Sequence, residues 1–232
     1  MDLIRGGIYD AMERQPANGM PSEFAWETTK DFWQQEQAIL AYYIMSGIPA
    51  QYLPTEEQER YLELARYCTM FWNVFFVDQE NREIYFRTTE SGAPVVQDGY
   101  GIQGGHAIAG YHSFELNYLA HLYIRTYVAK SKGQDESFCL SFRPQNCEGI
   151  ETFNVLPDFF RPEDLKIIGV KFNGVRQSIR DPSRFQIDIR DIKPETEIEV
   201  EFMPIRQDAA FGEQLIAKER EGTIEMPFGA VR

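Results

Sequence analysis

The chain has 232 residues, a formal charge of −13 and 43% hydrophobic residues, 14% of the total being aromatic; packed cores are within reach, and a chain so acidic, without a Lys or Arg cluster, is unsuited to nucleic acid or an anionic membrane surface. No window approaches the roughly 20 apolar residues of a membrane span, and MDLIRGGIYD has no apolar leader core, which points to a cytoplasmic protein. Cys68, Cys139 and Cys147 lack C-x-x-C spacing, signal neither a disulfide framework nor a zinc site, and read as reduced thiols.

Residues 1–27 open on Gly6-Gly7-Ile8-Tyr9-Asp10 and run through a Pro16 to Pro21 loop without a complete element, which reads as a start in mid-fold. Thr28 and Asp31 offer a cap, and Phe32, Trp33, Leu40, Ala41, Tyr43 and Ile44 then predict a helix over 32–46, closed by Gly47 and Pro49. Glu36 and Gln37 sit on or beside its apolar face, where a polar group needs either a buried hydrogen-bond partner or a ligand. A second helix runs from Thr55 to about Val77, with Thr55 and Gln58 placed as a capping box and Tyr61, Leu62, Ala65, Cys68, Trp72 and Phe76 on one stripe opposite Glu57, Glu59 and Glu63. This is an outer, amphipathic helix. Residues 83–87 and 90–95 read as a short hairpin around Gly92.

Gly99, Gly101 and Gly104 spell G-x-G-x-x-G, but the next helix starts near Ser113 rather than at the glycines, and no parallel strand ending in an acidic residue follows; the dinucleotide reading fails on context. All three histidines, His106, His112 and His121, fall within residues 99–130. His112 lies at the mouth of a helix that is apolar around most of its circumference and should be an inner one, with Ser113 as its cap. There it is either a neutral general base or simply part of the cap. His121, among Leu119, Leu122 and Tyr123, reads as a core histidine. A loop or hairpin followed by an inner helix occurs at 6–46 and again at 83–130, a weak repeat of the kind that builds α/α solenoids or toroids.

After Gly133 the period changes. Residues 137–143, 153–156, 165–172, 175–179, 185–189 and 197–202 read as strands, with 222–228 as one more in the tail; Asn173-Gly174 is a type I′ turn signal, and Glu197, Glu199 and Glu201 form a solvated face. The expected fold class is therefore α+β in two domains, a helical region over 1–133 and an antiparallel β-sandwich over 134–232.

The Gly-Gly-Ile-Tyr-Asp start, Phe32-Trp33-Gln34-Gln35-Glu36-Gln37-Ala38 and Gly110-Tyr111-His112 together resemble the N-acylglucosamine 2-epimerase family of sugar epimerases and isomerases. Residues 32–38 resemble that family's W-W-x-Q-x-E-A signature, and Tyr111-His112 is like the aromatic-His pair before its last inner helix. The resemblance covers about residues 1–130 and implies a partial (α/α)6 toroid with the site at its centre. It implies His112 as a general acid/base moving the C2 proton of a ring-opened sugar, a small-molecule sugar substrate, and no required cofactor or metal. Trp33, Tyr111, Glu36 and Gln37 become candidate substrate contacts. Gln37 stands where the family commonly has Glu, and Glu115 where many members have Arg, which makes Glu115 a candidate second acid/base group; the family's upstream histidine has no counterpart, and His106 is its nearby substitute.

A twelve-helix toroid needs far more chain than this. The sequence therefore leads to an expectation that an upstream half, a partner chain or self-association completes the site. Two rival readings are a non-catalytic carbohydrate-binding or assembly module and an (α/α)6 glycoside hydrolase with Glu36 and Glu115 as its carboxyl pair.

Overall fold

A computed structural model describes residues 1–12, 25–96, 102–103, 111–128, 137–145, 149–179, 181–190, 192–193 and 195–205. The described residues are mixed α and β, with three α-helices and several small antiparallel sheets among them, and fall into two compact units whose described parts lie within 1–123 and 124–205.

In the first unit, β1 (Ala11–Met12) pairs with β2 (Ala25–Glu27), and β3 (Lys30–Asp31) leads directly into α1 (Phe32–Ser46). Asp31 is the N-cap residue of α1 but makes no capping bond, because the Arg87 guanidinium takes both of its oxygens at 2.8 and 2.7 Å. The helix α2 (Thr55–Phe71) follows. The capping box expected at Thr55 and Gln58 is not made: Pro54 is the N-cap residue, and Gln58 instead donates to the Leu53 carbonyl at 2.9 Å. Of the stripe read from the sequence, Leu62, Ala65, Cys68, Trp72 and Phe76 are buried, and Phe71 is buried with them. A π-helical turn (Trp72–Phe76) ends that helix and passes into β4 (Val77–Asp78).

The run read as one strand at 83–87 is two. β5 (Glu83–Ile84) pairs with β4, and β6 (Arg87–Thr88) pairs with β3, while the turn at Gly92 is held by the Thr89 and Val95 amides bonding to Ala93 and Arg87 carbonyls. Gly92 has φ +93°, and a Cβ there would lie 2.2 Å from the Phe75 ring, so this turn requires glycine.

The third helix, α3 (Tyr111–Tyr123), already contains Ser113, which is therefore a helical residue and not the cap expected of it. It is also not enclosed. Leu116, Leu122 and Tyr123 are buried, but Phe114 is 73% exposed, Tyr118 is 43% exposed, and His121 is exposed rather than in a core. The reason is packing: α1 packs against both α2 and α3, and among the described elements it is the main partner of α3, whose Phe114, Tyr118 and His121 side stays exposed. Apolar residues around the whole circumference indicated enclosure, yet periodicity cannot say whether a second neighbour exists.

The second unit opens with a π-helical turn (Ile124–Val128). Its main sheet has the antiparallel order β10-β9-β12-β7, built from β7 (Phe138–Phe142), β9 (Leu165–Phe172), β10 (Val175–Arg176) and β12 (Ile198–Pro204); β8 (Thr152–Asn154) pairs with β11 (Gln186–Asp188). Asn173 and Gly174 have φ of 47° and 81°, as a type I′ turn requires, and they set Phe172 opposite Val175. Ile198, Val200 and Phe202 are fully buried while Glu199 pairs with Lys171 and Glu201 accepts from Ser137 at 2.9 Å, so the alternating glutamates are the solvated face. Phe142 meets Phe153, and Phe185 stacks on Phe202, which ties the two sheets together. Residues 222–228 lie outside the described residues. Among the described residues no helix is long and apolar enough to cross a membrane.

Candidate functional site

The first turns of α1 and α3 bring three sequence-predicted residues together. On α1, Phe32, Gln35, Glu36, Ile39, Leu40, Tyr43 and Ser46 are buried, so the Glu36 carboxyl lies among mainly apolar and aromatic side chains. On α3, His112 and Glu115 are three residues apart and share a side of the helix. His112 Nδ1 lies 2.7 Å from Glu36 Oε2 and 4.0 Å from Glu115 Oε2. The Phe32 ring meets the imidazole edge-on at 5.3 Å and the Tyr111 ring at 4.9 Å, which limits how far the histidine can turn.

The site is poorly satisfied. Glu36 is fully buried, and neither of its oxygens nor His112 Nδ1 completes an aligned hydrogen bond, even though the close approach is there. Among the described residues no Lys or Arg pairs with Glu36 or Glu115; the imidazole is their only potential counter-charge. Burial first, then the negative charge of nearby Glu115, push the Glu36 carboxyl up to about 8. Glu36 is thus a carboxylic acid at neutral pH beside an imidazole and a second carboxyl, a set able to accept, hold and return one proton.

The remaining predicted residues are placed differently. Trp33 is 43% exposed on α1, its indole directed to the Asp31 carboxyl, and Gln37 is exposed one turn further on. Tyr111 is 69% exposed beside His112. His106 and the glycine-rich loop at Gly99, Gly101 and Gly104 lie outside the described residues.

Two polar residues next to this set organise the unit and were not singled out from the sequence. Gln35, fully buried, accepts from the Ile8 amide at 2.6 Å and donates to the Ile8 carbonyl at 2.8 Å, pinning the Gly-Gly-Ile-Tyr-Asp segment to α1. Lys30, also fully buried, donates to Asp2 at 2.9 Å and to the Gly6 and Glu90 carbonyls at 2.7 and 3.1 Å, with its ammonium 3.9 Å from the centre of the Phe71 ring. Burial lowers the Lys30 pKa; it works against Asp2 as well, but the Lys30 hydrogen bond and the Arg5 and Ile4 amides hold that carboxyl below its ordinary value. The signal for both was Gly6-Gly7, whose φ values of 82° and 78° let the chain fold over α1, where a Cβ on Gly7 would lie 2.8 Å from Gln35 Oε1.

In the second unit a cavity of about 360 Å³ is lined by Ile167, Val170, Phe172, Ile187 and Asp188 among others. Its one acidic side chain, Asp188, pairs with Arg190. Comparison with family models, with curated proteins and with solved structures finds no match.

Proposed function

We propose that the first unit belongs to a carbohydrate epimerase or isomerase of the N-acylglucosamine 2-epimerase kind, moving the C2 proton of a ring-opened sugar through His112. The observation that carries this reading is the contact between buried Glu36 and His112 Nδ1 at 2.7 Å. With a Glu36 oxygen accepting the Nδ1 proton, the inner ring nitrogen is occupied and the imidazole lone pair lies on Nε2, open to the substrate. His112 takes the proton α to the carbonyl, an enediol forms, and return of a proton to the other face of C2 gives the epimer, or to C1 the ketose. Glu115, about a third exposed and 4.0 Å from His112, is the candidate for the second acid/base group. Trp33 and Tyr111 supply exposed aromatic faces suited to the apolar side of a sugar ring, and Gln37 an exposed amide. A partial toroid completed by another chain or a second copy is the architecture this reading implies.

Against the glycoside hydrolase reading stands the spacing: the nearest ligand atoms of Glu36 and Glu115 lie within 4.8 Å with the imidazole at the same point, whereas hydrolase pairs stand about 5–5.5 Å apart or more and face each other across the sugar. The test is solvent deuterium exchange into C2 of glucose, mannose, N-acetylglucosamine and N-acetylmannosamine. Exchange with any of them supports proton transfer; binding of all four without exchange supports a non-catalytic carbohydrate-binding module and removes the enzyme reading.

A further inference from the structure

We propose that Glu36, His112 and Glu115 form a seat for a divalent transition-metal cation, Zn2+ being the best match, and that a cation seated there silences proton transfer, a second half that rests on the proton-transfer reading above. Three observations converge on the seat. The donor atoms, one from each side chain, all lie within 4.8 Å of one another, with His112 Nδ1 at 2.7 Å from one carboxyl oxygen and 4.0 Å from the other. A cation bonded to nitrogen and oxygen ligands at about 2.0–2.2 Å holds tetrahedral neighbours about 3.4 Å apart. The observed spacings bracket that value, and the part-exposed Glu115 is free to swing inward.

The second observation is the unmet demand. Both Glu36 oxygens and His112 Nδ1 are buried without an aligned hydrogen bond, an arrangement that native interiors rarely leave uncompensated. One cation takes His112 Nδ1 and a Glu36 oxygen at once. The third is charge: two carboxyls converge with no Lys or Arg among the described residues to balance them.

Ligand chemistry sets the class of cation. One imidazole with two carboxylates suits Zn2+, Co2+ or Mn2+, is a poor match for Ca2+ and Mg2+, which prefer oxygen alone, and lacks the sulfur that Cu(I) favours. Three protein ligands leave a fourth position open. A neutral imidazole with a cation on Nδ1 carries its remaining proton on Nε2, so it has no lone pair to offer a C2 proton. The seat is therefore inhibitory.

The test is a titration of the full chain, stripped with a chelator and desalted, with Co2+ followed by visible absorption and with Zn2+ by calorimetry. One equivalent of Co2+ should give ligand-field bands that Zn2+ abolishes. Loss of a supporting residue alone typically weakens a metal site 10–100-fold, so Glu36→Gln and His112→Asn should each weaken Co2+ by about 100-fold or more while circular dichroism shows the fold retained. His121→Asn, on the exposed side of α3, should bind as the parent does. Absence of binding by the folded parent, or binding unchanged in both Glu36→Gln and His112→Asn, overturns the seat. Sugar exchange that proceeds in chelator and is not slowed by one equivalent of bound Zn2+ overturns the inhibitory half. Co2+ binding by a chain that exchanges no sugar upholds the seat and counts against the proton-transfer reading alone.

Discussion

Replacing Glu36 by Gln removes one ionisable group from the centre of the site and leaves its shape nearly unchanged. In the folded chain the Glu36 carboxyl is raised from 4.5 to about 8, by burial before the charge of Glu115. A carboxyl whose folded pKa lies above its unfolded value binds its proton more tightly when folded. Stability is then full below about 4.5, falls as pH rises through the interval, and levels off above about 8. At about 1.36 kcal/mol per unit the full shift corresponds to about 5 kcal/mol. That is an upper value, since Glu115 and His112 beside it are each about a third exposed and admit water to the field between the carboxyls; a loss of about 2–3 kcal/mol across the interval is the working figure. For Glu36→Gln this component of the pH slope is absent. The variant should match the parent near pH 4.5 and exceed it by about 2–3 kcal/mol, roughly 6–9 °C in Tm, at pH 9. Urea titrations and thermal melts in chelator, followed by tryptophan fluorescence, measure this directly, because Trp26, Trp33 and Trp72 all belong to the first unit. Parallel stability curves for parent and variant, or a variant less stable at pH 9, would refute the assignment of Glu36 as a buried carboxyl held protonated.

Asp2→Ala leaves the Lys30 ammonium without its carboxylate in a site of zero exposure, and should cost about 3–5 kcal/mol in urea denaturation; a cost under 1 kcal/mol would mean that the pair is solvated. Gly92→Ala forces a Cβ to within 2.2 Å of the Phe75 ring at a positive φ and should destabilise by about 2–4 kcal/mol by the same assay. Phe114 and Tyr118 stack with 6.3 Å between ring centres on the exposed face of α3. Light scattering should therefore find the chain self-associated, and Phe114→Ser with Tyr118→Ser should shift it toward monomer; a monomeric parent contradicts this.

How much of this was legible depended on whether a residue's role is set locally. The helix α1, the strand β9 and the Asn173-Gly174 turn were readable because period and turn chemistry act within a few residues. Glu36 stood out in the sequence as a polar group on or beside an apolar face, and His112 as a histidine at a helix mouth; their meeting at 2.7 Å was not readable, since it depends on the register of α1 against α3. Lys30 looked like any lysine before a helix because its partners come from residues 2, 6 and 90. His121 was misplaced for the opposite reason: its neighbours in sequence are apolar, but its side of α3 faces outward. The capping bonds expected for Asp31 and Thr55 gave way to an ion pair with Arg87 in one case and to a Pro54 start in the other.

The central claim is that His112 moves a substrate proton, and the most direct measurement is proton NMR of the sugar panel in D2O with the parent chain, His112→Asn and His121→Asn, all in chelator. The account predicts that the C2 proton signal decays with the parent and with His121→Asn, and persists with a folded His112→Asn. Equal decay with His112→Asn and the parent would contradict it.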